Sequence, residues 1–313
     1  MRILFMGTPK ESASVLETLI EAKHEIILVV TQPDRPKGRG LKITPSKVKE
    51  LALKHGLPLE QPEDVKDSTF IKILGSFKPD LIVLVAYGKI IPKEILSIPE
   101  YGCINVHASL LPKYRGAAPI QWALMNGEKE TGVTIFKLDE GLDTGAILLQ
   151  EKIKIEDSDN AATLSEKLFR LGGELLLKAI KLIEDGKALY VPQALQESYA
   201  PSITVESGNI DFKKSAEEIH NRIRALNPWP GAYTFYKGKR LKMLSSETKI
   251  ANLVTKAYPP GTVIEIVKNI GFIIESGRGH ILIKEVKPEG GKKIRAYDFV
   301  IGHKVRINEV LPS

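Results

Sequence analysis

The sequence predicts an α/β chain of two domains, a doubly wound, mostly parallel sheet followed by a small all-β domain that closes into a barrel or a curled sheet. Three observations predict it. The chain has 313 residues, more than the roughly 250–300 at which a single core stops growing. Short β-branched runs alternate with helical-period segments through the first half, and that alternation builds parallel sheets with helices on both faces. From Thr262 the hydrophobic period falls to two, as in antiparallel strands with one face covered.

In order along the first half, strands are predicted at 2–6, 25–31, 80–86, 103–107, 132–138 and 147–155, and helices at 12–22, 46–55, 68–77, 117–126 and 161–185. Several of the helices open on Ser, Thr or Pro, which supply N-caps or a preset first turn. After Val191 the chain is polar and without period, with Pro192 and Pro201, and reads as a linker. An amphipathic helix is predicted at 216–225, ending before Asn227-Pro228. The runs TVIEIV, FIIES and HILIKEV, separated by KNIG and SGRG, are strands joined by glycine-bearing hairpins. The organisation expected is therefore 1–190, a linker at 191–207, and 208–313.

Composition removes several classes. With 43% hydrophobic and 27% charged residues, disorder, collagen and coiled coil are excluded. A lone Cys103 excludes an intramolecular disulfide framework and a Cys-rich metal site, and fits a reducing compartment. No apolar run approaches the ~18–20 residues that span a bilayer, and the first residues lack a signal-peptide pattern, so a cytoplasmic location away from membranes is expected.

The net charge of +7 is unevenly placed. From Glu206 to Ser313 there are 19 Lys plus Arg against 11 Asp plus Glu, a net of +8, while the residues before them carry 26 against 27, a net of -1. An excess confined to one end favours a polyanionic partner.

The turn Gly7-Thr8-Pro9 follows the first strand but lacks the G-x-G-x-x-G and G-x-x-x-x-G-K-S/T patterns, so a nucleotide cofactor is not expected. The dense stretch is 102–145. Side chains two apart on a strand share a face, which projects Asn105 and His107 together. Ser109, Leu110, Leu111 and Pro112 then form a stiff apolar loop, and Asp139, Glu140, Gly141 and Asp143 make a glycine-bearing acidic turn. An amide, an imidazole and a carboxylate without a metal set suit acyl transfer to an external amine. Asn105 and a protonated His107 would stabilise the oxyanion, and Asp143 would take the amine's proton directly or through water. Cys103 lies on the same face and could instead pair with His107 as a nucleophile. The other five histidines are scattered without metal-ligand spacing.

The run Asn105-Val106-His107-Ala108-Ser109-Leu110-Leu111-Pro112-Lys113-Tyr114-Arg115-Gly116, with the later Leu142-Asp143-Thr144-Gly145, resembles the signature of the 10-formyltetrahydrofolate-dependent formyltransferases. The likeness is greatest to the branch that formylates methionyl-tRNA. It extends to the opening MRILFMGTP, to Gln32-Pro33-Asp34-Arg35-Pro36-Lys37-Gly38-Arg39-Gly40 with Pro45-Ser46-Lys47-Val48-Lys49, to Val85-Ala86-Tyr87-Gly88, and to Ala225-Leu226-Asn227-Pro228-Trp229-Pro230-Gly231-Ala232.

The resemblance implies a Rossmann-like formyltransferase domain followed by an OB-like barrel, a cytoplasmic transferase of protein biosynthesis acting in translation initiation. Asn105, His107 and Asp143 would be catalytic. Ser109, Leu110, Leu111, Pro112, Tyr87, Gly88, Asp139, Glu140 and Gly141 would bind 10-formyltetrahydrofolate as the formyl donor. Arg35, Lys37, Arg39 and Lys42 would touch initiator methionyl-tRNA, assisted by the basic carboxyl-terminal domain. No metal and no obligate protein partner is implied. Rival readings keep the chemistry but change the acceptor to a sugar nucleotide, a small amine or water, or retain only RNA binding.

Overall fold

The computed structural model describes residues 1–37, 42–248 and 258–312. By contacts the chain divides into two units. The first holds 1–119, 130–154 and 165–201, and the second holds 120–129, 155–164 and 202–313.

The first unit is a seven-stranded sheet, built from β1 (Arg2–Gly7), β2 (Glu25–Val30), β5 (Leu59–Glu60), β6 (Leu81–Val85), β7 (Cys103–His107), β8 (Glu130–Lys137) and β9 (Ile147–Lys154). Their order is β5-β2-β1-β6-β7-β8-β9. The first five strands are parallel, whereas β8 is antiparallel to both β7 and β9. The all-apolar runs of β1 and β6 suit strands covered on both faces. The chain leaves β1 toward β2 on one side and returns on the other at β6, so the loops after these two strands diverge and open the crevice where such sheets bind ligands.

One face packs Leu4, Met6, Leu28, Val30, Ile82, Leu84 and Cys103 against Phe70 and Leu74 of α3 (Ser68–Ser76) and Ile95 of α4 (Lys93–Leu96). Helix α1 (Lys10–Glu21) buries Val15, Leu16 and Leu19, and the Ser12 hydroxyl ties it to the carbonyl of Val85 at 2.5 Å. Helix α6 (Ala161–Glu184) brings Gly172 against Val106 and Gly173 against Thr18 of α1. Helix α2 (Lys47–Lys54) is capped by the Ser46 hydroxyl and α3 by the Asp67 carboxylate, each satisfying an otherwise orphaned N–H. Helix α5 (Pro119–Met125) starts on proline, which has no N–H to orphan. The predicted elements of this half are present within about two residues of their expected ends. The period did not reveal the hairpin of β3 (Arg35–Lys37) and β4 (Lys42–Thr44), nor β5 or α4.

The second unit is an antiparallel, OB-like sheet of β10 (Ala232–Tyr236), β11 (Lys239–Glu247), β12 (Val263–Val267), β13 (Gly271–Glu275) and β14 (His280–Pro288), in the order β10-β11-β14-β13-β12, with β15 (Ile294–Arg295) beside β14. Helix α7 (Ala216–Ala225), opened by a Ser215/Glu218 capping box, and α8 (Ala296–His303) supply Ile219, Ile223, Phe299 and Val300 to its core. Strands β10, β11 and β15 and helix α8 went unanticipated. No helix among the described residues is long and apolar enough to cross a membrane.

Candidate active site

Strand β7 is the base of the site. Its two-residue spacing sets Asn105 and His107 on one face. His107 is 6% exposed and Asn105 is half-buried. The His107 Nε2–H donates to the Tyr114 carbonyl at 2.9 Å. A carbonyl oxygen only accepts, so Nε2 holds the proton and Nδ1 is the atom left to face the cleft. Nδ1 stands 3.7 Å from Asp143 Oδ2, and the Phe136 ring meets the imidazole edge-on at 6.3 Å between centroids. The Asn105 amide has no hydrogen-bond partner among the described residues, which leaves its donors and acceptor for a ligand.

Asp143 does not arrive by a strand-exit loop at the carboxyl end of β7, as the pattern of alternating elements suggests. Because β8 is antiparallel, with Ile104 opposite Lys137 and His107 opposite Thr134, it ends level with the start of β7. The turn after it folds back across the face that carries Asn105 and His107. Asp139 shapes that turn by accepting from the Gly141 N–H at 3.0 Å and the Thr144 hydroxyl at 2.6 Å. Asp143 adopts φ 52, Gly145 lies so close to the Lys137 carbonyl that a Cβ would collide with it, and Asp143 Oδ2 accepts from the Gly116 N–H at 2.8 Å.

The 109–112 loop is held from below by Thr134. Its hydroxyl donates to the Ser109 carbonyl at 2.6 Å and accepts from the Leu111 N–H at 3.1 Å and Gln150 Nε2 at 2.8 Å, while Gln150 Nε2 also reaches the Leu111 carbonyl at 3.0 Å. The Ser109 hydroxyl donates to the Lys113 carbonyl at 2.6 Å. Leu110 lies over Gly132. The other predicted ligand loop follows β6. There the Tyr87 carbonyl accepts from Gln32 Nε2 at 2.7 Å and from the Thr8 hydroxyl at 3.2 Å. The Tyr87 ring points away into the core, where burial pushes its phenol up to about 12. Only backbone at Tyr87 and Gly88 is thus offered to a ligand. Glu140 is exposed and pairs with Lys93 at 3.2 Å, and Ile90 and Leu142 are exposed apolar residues on the same two loops.

Cys103 is no nucleophile. It is 1% exposed, its Sγ is directed at the Ile95 carbonyl, and burial pushes the thiol up to about 12, far from thiolate character.

Of the basic residues singled out, Arg35 is exposed and pairs with Glu63 at 3.1 Å. Lys37 and Lys42 are opposite each other in the backbone ladder of the β3–β4 hairpin, and Arg39 lies outside the described residues. The hairpin's base is fixed by Asp34, which accepts from Lys49 at 2.7 Å and Gln61 at 2.9 Å, bonds that hold its carboxyl below the ordinary value.

Three further residues, Arg115, Gln193 and Ser198, were not anticipated as parts of the site. Gln193 Nε2 donates to the carbonyls of Asp143 and Gly145 at 2.7 and 2.9 Å, and its Oε1 accepts from Arg115 Nη2 and Nε at 2.7 and 3.1 Å. The Ser198 hydroxyl accepts from the Tyr114 N–H at 2.9 Å. The segment expected as a linker therefore begins by lying along the loops that carry Asp143 and Arg115. Val191 pairs with Ile147, and Ser198 and Ala200 pair with Arg115.

An unpartnered amide beside a histidine–carboxylate pair, on a strand of a doubly wound sheet, is an arrangement that suits group transfer. The chain belongs to the formyl transferase family: the family model for formyl transferase matches residues 1–180 and that for the formyl transferase C-terminal domain matches 202–304. It is 48% identical over 313 residues to the methionyl-tRNA formyltransferase of Caldanaerobacter subterraneus subsp. tengcongensis, covering 99% of this chain and 100% of that one. It is 49% identical over 311 residues to that of Thermodesulfovibrio yellowstonii, covering 99% and 98%.

Among solved structures, the N-formyltransferase of Helicobacter canadensis in complex with folinic acid and dTDP-3-aminofucose shares the fold, with TM-score 0.64, 22% identity and coverage of 90% and 98%. HypX from Aquifex aeolicus in complex with tetrahydrofolic acid aligns with TM-score 0.65 and 19% identity, covering 96% of this chain and 47% of HypX. The chain thus spans about half the length of HypX.

Proposed function

We propose that this chain transfers the formyl group of 10-formyltetrahydrofolate to the α-amino group of methionine esterified to initiator tRNA, giving N-formylmethionyl-tRNA for translation initiation in the cytoplasm. The observation that carries the reading is the unpartnered Asn105 amide beside the His107–Asp143 pair, within a chain that matches methionyl-tRNA formyltransferases end to end.

The amine nitrogen attacks the formyl carbon, and the carbonyl oxygen takes up negative charge. The Asn105 N–H donates to that oxygen, and a proton on His107 Nδ1 adds a second donor. The His107–Asp143 pair accepts the proton the amine loses and returns it to the departing N10 of the folate, so that tetrahydrofolate leaves neutral at that nitrogen. The C–N10 bond breaks as the C–N bond to methionine forms, without a covalent enzyme intermediate.

The donor site consists of Ser109, Leu110, Leu111 and Pro112, backbone at Tyr87 and Gly88, and the Asp139, Glu140 and Gly141 turn. Exposed Ile90 and Leu142 on these loops suit a flat, partly apolar ligand. Arg35, Lys37, Arg39 and Lys42 meet the tRNA, and residues 208–313, with a net of +9, hold its backbone. In this reading 1–190 is catalytic, 191–207 connects, and neither a metal nor an obligate protein partner takes part.

The test is transfer of labelled formyl from 10-formyltetrahydrofolate to methionyl-tRNA, run beside uncharged tRNA, free methionine and water. Transfer to methionyl-tRNA alone is expected, and Asn105→Ala, His107→Ala and Asp143→Asn should each cost roughly 10²–10³-fold. Folate turnover with any other acceptor, or all three variants within a factor of a few of the parent, refutes the reading.

A further inference from the structure

We propose that Arg115 and Gln193 are positioning residues for Asp143, a strut that keeps its carboxylate at His107. This rests on the reading of Asp143 as part of the proton-accepting pair. The turn that carries Asp143 is tied internally through Asp139, whose bonds end at Gly141 and Thr144, and through the Lys137 N–H, which donates to the Ala146 carbonyl at 2.9 Å. Beyond these, Asp143 is placed by two contacts from outside its turn. Its carboxylate takes the Gly116 N–H, and its carbonyl, with that of Gly145, takes the two hydrogens of Gln193 Nε2.

The orientation of the Gln193 amide is itself set. Arg115 only donates, so Oε1 must face Nε and Nη2, and the NH₂ must face the two carbonyls. Arg115 is 9% exposed, and among the described residues no carboxylate lies within ion-pair distance of it. A nearly buried guanidinium directed at a neutral amide is a costly choice for stability alone, and holding a functional group accounts for it.

The strut also sets the register of the pair. Three successive residues each hold one member of the site. Tyr114 accepts from His107 Nε2–H, Arg115 grips Gln193, and Gly116 donates to Asp143. Gly116 reaches that carboxylate at φ 116, with a Cβ position only 2.9 Å from the Ala200 carbonyl oxygen. The 114–116 tripeptide is fixed in turn by Ser198 and Ala200. The segment 193–200 thereby acts on both members of the pair through one short stretch of chain.

The experiment compares formyl transfer by the parent, Gln193→Ala, Gln193→Glu, Arg115→Ala and the Arg115→Ala/Gln193→Ala double variant, together with Asp143→Asn and Asp143→Asn/Gln193→Ala. Gln193→Glu keeps an acceptor for Arg115, and so the fold, but sets a carboxylate against two carbonyls. Each strut variant should lose roughly 10–10²-fold in kcat with KM for folate and tRNA within about threefold. The Arg115/Gln193 double variant should be no worse than the poorer single, because Arg115 acts through Gln193. In the Asp143→Asn background, Gln193→Ala should cost nothing further, since there is no carboxylate left to place. An equal loss in that background, or unchanged kcat in a folded Gln193→Glu, overturns the strut while leaving the role of Asp143 intact. An Asp143→Asn variant as fast as the parent overturns the role of Asp143 itself.

Discussion

Replacing Thr134 by Val removes one hydroxyl and keeps the side-chain volume. Thr134 is fully buried and its Oγ1 serves three partners. Gln150 Nε2 retains the Leu111 carbonyl in the variant. The Leu111 N–H and the Ser109 carbonyl lose the partner the structure gives them, and both residues are buried. At roughly 1–3 kcal/mol for each of the two buried groups left unsatisfied, the loss is about 2–6 kcal/mol. A thermal shift of roughly 2–4 °C per kcal/mol for a unit of this size puts the fall in Tm at about 4–24 °C. Thr134→Ser is the control, since it keeps the hydroxyl and gives up one methyl, about 1 kcal/mol. Scanning calorimetry of parent and both variants reads the order. If hydrogen bonding holds the 109–112 loop, Ser is the milder change. If packing holds it, Val is milder, and that order refutes the reasoning. The KM for the formyl donor should rise in Thr134→Val and stay near the parent's in Thr134→Ser.

Cys103 should resist iodoacetamide in the folded protein at pH 8, because burial pushes its thiol up to about 12, and should react fully in denaturant; mass spectrometry showing native-state alkylation at an unfolded-state rate would restore it as a candidate nucleophile. Asp34 is held below its ordinary value of 3.8 by the Lys49 and Gln61 hydrogen bonds, so its contribution to stability is present above 3.8 and fades as pH falls through the lower folded value. Asp34→Asn should accordingly be less stable than the parent at neutral pH, with the gap in Tm closing on acidification, and a gap constant across the acid range would show that the carboxylate's charge is not what anchors the hairpin.

What could be read in advance was what local pattern encodes. Asn105 and His107 were legible because a two-residue spacing on a strand can mean only one face. The longer strands and helices of the first unit were legible because each is long enough to show its period, which β3, β4, β5 and α4 are not. The β10–β11 hairpin went unread but was within reach, since Lys237 and Gly238 stand between alternating runs, and in the structure both take the positive φ of a tight hairpin turn. Helix α8 was not, because AYDFVIGH spreads its apolar residues around the helix rather than along one stripe. Arg115 and Gln193 lay further out of reach. They meet across 78 positions in sequence, and Gln193 reaches the Asp143 carbonyl across 50. A bond between such distant polar residues leaves no trace in composition or period. Gln193 sits in a stretch whose polarity reads as solvation, and its amide is instead spent on other backbone and side-chain groups.

The reversal of β8 links these observations. Had β8 been parallel to β7, its exit loop would have opened beside His107 and a carboxylate a few residues along would have met the imidazole directly. Running antiparallel, β8 ends opposite Ile104, three residues short of His107, so the turn must return roughly 10 Å along the sheet before Asp143 can face Nδ1. That return explains the composition of the turn. Asp139 closes it, Asp143 takes a left-handed conformation, and Gly145 passes against the Lys137 carbonyl where no side chain fits. A turn that runs over a sheet face has no ladder of its own beneath Asp143, so its placement falls to groups from elsewhere. Gly116 and Gln193 provide them. A strut drawn from the far end of the catalytic unit thus follows from strand direction, because only a carboxylate delivered by a returning loop needs to be held from outside that loop.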